Sequence, residues 1–309
     1  DDFLRLLHEV GDSNALVVNV VDIFDFNSSV IPGLPRFVAG NDVLLVGNKK
    51  DILPKSVKTS KVTQWLMERA HEEGLRPVDV VLTSAQNKQA IKELIEKIEQ
   101  YRKGRDVYVV GVTNVGKSTL INAIIQEITG DKEVITTSRF PGTTLDKIEI
   151  PLADGSHIYD TPGIIHRHQM AHYLSAKNLK YISPKKEIKP KTYQLNPEQT
   201  LFLGGLGRFD FVSGNKQGFT AYFDNELQLH RTKLAGAGEF YEKHVGSLLT
   251  PPSKKEVSDF PQLVKHELKI EAKTDVVFSG LGWIRVTGPA KIAAWAPDGV
   301  AVVTRKAII

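Results

Sequence analysis

Gly111-Val112-Thr113-Asn114-Val115-Gly116-Lys117-Ser118-Thr119 follows an apolar run at 106–110 and precedes a helical pattern at 118–128. The spacing is Gly-x4-Gly-Lys-Ser in strand–loop–helix context, the form a phosphate-binding loop takes. Glycines are needed because backbone N–H groups must wrap closely around a phosphate. The helix that follows aims its positive end at the same anion. A glycine-rich turn with no ligand would need neither the flanking strand nor the helix. In this reading Val115, Gly116 and Thr119 line the loop, Lys117 neutralises the β- and γ-phosphates, and Ser118 offers its hydroxyl to Mg²⁺.

Working outward, Asp160-Thr161-Pro162-Gly163 ends a short strand downstream. Its aspartate is suited to holding Mg²⁺ through water, and the Gly163 N–H to meeting the γ-phosphate. Asp-x-x-Gly alone is common; its place at a strand end after the loop makes it credible. Upstream, Asn48-Lys49-Lys50-Asp51 and Thr83-Ser84-Ala85 each follow an apolar run. A carboxylate such as Asp51 accepts from guanine N1–H and N2–H₂, an arrangement adenine does not offer. Asn48 would support the loop and the purine edge, the Lys49 stem would pack on the base face, and Ala85, beside Ser84, would offer its N–H to guanine O6. A charged turn explains neither placement. The histidines have no metal-ligand spacing; His166 and His168 read as exposed residues after Gly163. Asp22 and Asp25 read as loop polar groups.

Strand-like runs at 15–21, 43–47, 78–82 and 106–110 alternate with helical patterns at 60–73, 90–98 and 118–128. That alternation predicts a mainly parallel sheet covered on both faces. Segments 148–150 and 157–159 bracket Ala153-Asp154-Gly155-Ser156 as a hairpin. Near Ser183-Pro184-Lys185-Lys186 the pattern changes to alternating segments at 201–212, 218–223, 276–286 and 300–303. This places an α/β domain at 1–182 and a β-rich, basic domain at 183–309. Gly205-Leu206-Gly207-Arg208-Phe209-Asp210-Phe211 resembles Gly280-Leu281-Gly282-Trp283-Ile284-Arg285-Val286. A duplicated hairpin and a shared strand-entry turn both account for it.

The 309 residues carry 41% hydrophobic and 25% charged side chains and a formal net charge of +4. From Ala171 onward there are 20 Lys and Arg against 13 Asp and Glu, a net +7. A basic second half predicts a polyanionic partner, with nucleic acid the leading candidate; a solvated lysine-rich surface is the alternative. Lys185, Lys186, Lys189, Lys191, Arg208 and Arg285 are candidate phosphate contacts, and Trp283 either stacks on a base or fills the core. No apolar run is long enough for a membrane span. The absence of cysteine excludes disulfides and thiolate metal sites and fits a cytoplasmic protein. The chain starts at Asp1 without an initiator Met, which suggests a piece of something longer.

The base-recognition motifs precede the phosphate motifs, the reverse of an ordinary small GTPase. The chain resembles a circularly permuted P-loop GTPase followed by a β-rich domain. Motif order and Asp22-Ile23-Phe24-Asp25-Phe26-Asn27-Ser28-Ser29 make it similar to the YqeH family of permuted GTPases, which act in assembly of the small ribosomal subunit. The resemblance implies GTP hydrolysis with Mg²⁺, a partner in ribosomal RNA or a small-subunit precursor, and no membrane. It implies that Thr144, in Pro141-Gly142-Thr143-Thr144, completes the Mg²⁺ shell. Ile164 stands where many signalling GTPases place a water-orienting glutamine, and the chain resembles the class with a hydrophobic residue there, which implies a slow intrinsic rate. Asn114 sits where several relatives use asparagine to help bind K⁺. Lys117, Thr144, Gly163 and Asn114 are thus the expected catalytic set. Family members usually carry a cysteine-rich zinc segment before the permuted domain; none lies within this sequence. A protein effector in place of RNA is the alternative partner. A metabolic P-loop kinase is disfavoured by Asp51.

Overall fold

The runs of Val, Leu and Ile in the first half are buried on both faces, which is why they read as continuous rather than alternating. They build strands β1 (Leu16–Asp22), β2 (Val43–Asn48), β3 (Asp79–Leu82) and β4 (Val107–Val110). The computed structural model describes residues 2–113, 115–130, 136–140, 143, 145–163, 170–182 and 184–309. The chain divides into two compact units, Asp1–His166 and Arg167–Ile309. The division falls before the lysine- and proline-rich stretch at 183–190, because Met170, Leu174 and Ile182 are already buried in the core of the second unit.

In the first unit, β5 (Thr136–Arg139), β6 (Asp146–Pro151) and β7 (His157–Asp160) join the four strands in one sheet of order β3-β2-β1-β4-β7-β6-β5. Neighbours from β3 through β7 are parallel, and β5 and β6 are antiparallel. The helices are α1 (Asp2–Asp12), α2 (Phe26–Ser29), α3 (Leu34–Phe37), α4 (Thr59–Glu72), α5 (Lys88–Arg102) and α6 (Lys117–Thr129). The expected apolar stripe on α5 is buried at Ala90, Ile91, Leu94 and Ile98. Its start is fixed by Asn87, whose Oδ1 accepts from the Ala90 N–H at 3.0 Å. The chain runs outward from β1 through β2 to β3, then returns beside β1 with β4 and runs outward the other way to β7. Strand order therefore reverses between β1 and β4. In open α/β sheets a ligand crevice lies at the carboxyl ends of the strands at such a reversal.

The second unit is a sandwich of two antiparallel five-stranded sheets. The strands are β8 (Lys191–Leu195), β9 (Gln199–Leu203), β10 (Gly207–Gly214), β11 (Gln217–Phe223), β12 (Leu229–Lys233), β13 (Leu263–Ile270), β14 (Thr274–Phe278), β15 (Gly282–Val286), β16 (Ala290–Pro297) and β17 (Val302–Lys306). One sheet runs β12-β9-β10-β16-β13 and the other β17-β14-β15-β11-β8. Replacing each of β8–β12 by the strand five places later, and the reverse, converts one order into the other. The similar heptapeptides occupy equivalent hairpins, β9–β10 and β14–β15, and each turn holds a glycine at positive φ, Gly204 (+55°) and Gly280 (+78°). The unit is thus a duplicated five-strand element whose halves exchange two strands. The segments read as alternating at 201–212 and 276–286 fall in these two hairpins. Leu201, Phe209, Phe211 and Ile292 from one sheet meet Phe219, Val276, Phe278 and Ile284 from the other in the core. Helix α7 (Ala237–His244) covers Phe202 on the outer face of the first sheet. Among the described residues no helix is long and apolar enough to cross a membrane.

Candidate functional site

Strand register brings the motifs together. Asp22 and Asn48 are paired positions at the ends of β1 and β2, and β4 ends at Val110, next to Gly111. The phosphate loop has no room for side chains at its glycines. A Cβ at Gly116, where φ is +80°, would stand 2.5 Å from Asn48 Nδ2. One at Gly111 would stand 3.1 Å from the Val20 carbonyl oxygen. Gly116 opens α6 without a side-chain cap, so the first-turn N–H groups are left for an anion. Val115 is buried, and Ser118 and Thr119 are exposed at this end of the helix.

Lys117 is buried, and its ammonium donates to Asp160 Oδ1 at 2.5 Å and to the Thr161 carbonyl. Burial raises the Asp160 carboxyl above its ordinary value, with the charge of Lys117 opposing. Thr161 ties this segment back to β4 through its hydroxyl, which donates to the Val109 carbonyl at 2.7 Å. Gly163 lies against the phosphate loop, with its Cβ direction 3.3 Å from the Thr113 nitrogen. Ser118 and Asp160 supply oxygen donors of the kind Mg²⁺ takes. Thr144, Asn114, Ile164, His166 and His168 lie outside the described residues. Thr143 is described: its hydroxyl donates to the Phe140 carbonyl at 2.8 Å and accepts from the Leu145 N–H at 3.2 Å.

The loop that opens at Asn48 is fastened to the Gly111–Thr119 loop by a buried hydrogen bond. Asn48 Nδ2 donates to the Val115 carbonyl at 2.8 Å, across 67 residues of sequence. Lys49 is in the left-handed region at φ 70°, and its Nζ meets Asp22 Oδ2 at 2.8 Å. Asp51 is exposed on the 3₁₀ turn Lys50–Ile52. The Lys50 N–H donates to the Thr83 carbonyl at 3.0 Å, and the Thr83 N–H to the Gly47 carbonyl at 2.8 Å. Thr83-Ser84-Ala85 is thereby held beside Asn48–Asp51, with Ser84 buried and Ala85 half-buried. Asp22, expected as a loop polar group, joins the site. It is a buried partner of Lys49 rather than a loop polar group, and its position at a strand end in line with Asn48 was the available signal.

In the second unit Lys185, Lys186, Lys189 and Lys191 are exposed. Arg208 is not a surface phosphate contact. Its guanidinium is buried and holds Asp210 through Nε at 2.8 Å and Nη2 at 3.1 Å. Arg285 is half-buried in the sheet, and its charge acts on buried Asp275. Trp283 is a core residue, stacked on Tyr222 with ring centroids 4.9 Å apart.

A family model described as "YqeH-like, C-terminal" matches residues 216–308, and one described as "50S ribosome-binding GTPase" matches residues 106–196. The uncharacterized protein YqeH of Bacillus subtilis (strain 168) is 60% identical, covering 100% of this chain and 85% of that protein. The chain belongs to the YqeH family of circularly permuted GTPases. The NO-associated protein 1, chloroplastic/mitochondrial, of Arabidopsis thaliana is 32% identical over 93% of this chain, which spans only 57% of that protein. A solved GDP-bound structure of TM YlqF is 26% identical, covers 59% of this chain and 64% of that one, and has a TM-score of 0.36. As a family member the chain is a GTP hydrolase that binds GTP and GDP with the usual dependence on Mg²⁺.

Proposed function

We propose that this GTPase is a switch in assembly of the small ribosomal subunit, acting in the cytoplasm and binding ribosomal RNA through its second unit. The observation that carries the reading is the net +7 from Ala171 onward, with Lys185, Lys186, Lys189 and Lys191 all exposed. Such a surface favours phosphate-led binding.

At the nucleotide, Asp51 selects guanine, Asn48 and Lys49 frame the base, and Ser84 and Ala85 close its edge. Val115 to Thr119 cradle the phosphates. Lys117 would serve the β- and γ-phosphates, and Ser118, Thr144 and Asp160 are the residues that would hold Mg²⁺, which would supply charge stabilisation at the transferring phosphate. Gly163 senses the γ-phosphate, and the second unit begins at Arg167, directly downstream. The permutation thus gives the sensor a short covalent path to the basic unit. With isoleucine at position 164 no side chain there orients water. Hydrolysis is slow, and Asn114 is the residue that would help hold a K⁺ ion, which would supply positive charge at the transition state.

Crosslinking the GTP-bound protein in cell extract and identifying the attached RNA tests the proposal. Small-subunit ribosomal RNA is the expected product; a nuclease-resistant complex with protein alone would replace RNA by a protein effector. Equal hydrolysis rates in K⁺ and Na⁺ would remove the role given to Asn114.

A further inference from the structure

A cavity of about 330 Å³ lies in the second unit beside α7 and the outer face of the β12-β9-β10-β16-β13 sheet. This is the size class of small-molecule sites. Trp295, Tyr241 and Phe260 give it aromatic lining, and Arg208, Gln262 and Glu242 add polar groups. The arginine is held as a built site would hold it. Asp210 accepts from Arg208 Nε and Nη2, from Thr200 Oγ1 at 2.7 Å and from Trp295 Nε1 at 2.9 Å. The guanidinium lies 4.4 Å from the Trp295 ring centroid. Nη1 is the end left over. It has no hydrogen-bond partner among the described residues and points toward Gly238, 4.0 Å from where a Cβ would stand. Arg208 is 8% exposed and is one of the residues that line the cavity.

Asp210 already neutralises Arg208, which argues against a bare phosphate as the occupant. What remains is a flat apolar lining with a fixed donor, a carboxylate acceptor in Glu242, and an amide in Gln262 that is both. A nucleobase edge presents donors and acceptors together beside a π-face. We infer that this cavity binds one unpaired nucleobase of a single-stranded RNA, with Arg208, Gln262 and Glu242 meeting its edge. The inference rests on the RNA reading above and adds a base-reading position to it. Arg208 then serves a base edge, not the phosphate contact expected from sequence.

Gly238 supplies the test. It sits in the first turns of α7 at a helical, not positive, φ, and a Cβ there meets nothing closer than Arg208 Nη1 at 4.0 Å. Gly238→Leu fills the cavity without touching the nucleotide site, and Gly238→Ala leaves it open as the folding control. The full chain is titrated with a short unstructured RNA and with the same strand lacking its bases. Since stacking accounts for much of single-strand affinity, wild type and Gly238→Ala should bind the intact strand about tenfold more tightly than the abasic one. Gly238→Leu should lose that ratio while hydrolysing GTP at the wild-type rate. Equal affinity of wild type for both strands, or an unchanged ratio in Gly238→Leu, overturns the base pocket and leaves RNA binding standing. No binding of either strand by wild type overturns both. Saturation by a free nucleoside monophosphate at the same site, with no gain from the strand, assigns the pocket to a small ligand instead and overturns the RNA source.

Discussion

Replacing Asn48 by alanine should loosen the nucleotide site without emptying it. The side chain is 2% exposed, and its Nδ2 makes the 2.8 Å bond that joins the base loop to Val115 of the phosphate loop. Alanine leaves the Val115 carbonyl without that donor, and an unsatisfied buried acceptor costs about 1–3 kcal/mol. The site opens to solvent at Ser118, so water can reach part of the gap and the lower half of that range applies. About 1–2 kcal/mol corresponds to roughly 5- to 30-fold weaker binding. Titration with a fluorescent GDP analogue reads this directly, and the rise should be in the dissociation rate. A second arm separates loop coupling from loss of a base contact. Inorganic triphosphate touches only the phosphate loop, so its affinity should also fall in Asn48→Ala. Unchanged triphosphate binding alongside weakened GDP would refute the coupling, and an unchanged GDP affinity would refute the whole argument.

Asp22→Asn removes a charged partner of Lys49, in a pair whose side chains are 8% and 24% exposed. A partly solvated pair contributes about 0.5–1 kcal/mol, so GDP affinity should fall by roughly two- to fivefold in the same titration. Asp210→Asn takes the counter-charge from buried Arg208, and breaking such a pair costs about 3–5 kcal/mol. Denaturant unfolding followed by tryptophan fluorescence should show that loss in the second unit, with much of it recovered when Arg208→Met and Asp210→Leu are combined. Glu256 gives a pH signature. Burial opposes its charge, but hydrogen bonds from the Ser253 hydroxyl and N–H, the Ser175 N–H and Asn178 hold its pKa at about 2, below the ordinary 4.5. A depressed carboxylate stabilises above 4.5, and that stability is lost as pH falls from 4.5 toward 2. Thermal melts of Glu256→Gln should lack this part of the acid slope.

The loops of the candidate nucleotide site could be located in sequence because each follows a buried parallel strand, and such strands announce themselves as unbroken apolar runs. Asn48, Ser84, Gly111 and Asp160 could be placed from those runs alone. Asp22 could not be assigned a partner, because the register that sets it beside Asn48 exists only in the assembled sheet. In the second unit the repeated Gly-Leu-Gly pointed to the duplication, but not to the strand exchange, which is a matter of long-range pairing. Arg208 and Arg285 read as surface cations because alternation assigns a residue to a face without saying what covers it. Arg208 lies under α7 and the segment around Phe260. Trp283 lies under Arg305, whose guanidinium sits 5.0 Å from its ring.

In the proposed function the state of the nucleotide controls RNA binding by the basic unit. The most direct measurement is RNA affinity of the full chain across a salt series, with GDP and with a non-hydrolysable GTP analogue. Binding should be tighter with the GTP analogue and, in both states, show a log–log salt slope of about −0.7 for each phosphate contacted on a single strand. Identical affinities in the two nucleotide states, or affinity that does not weaken with salt, would contradict it.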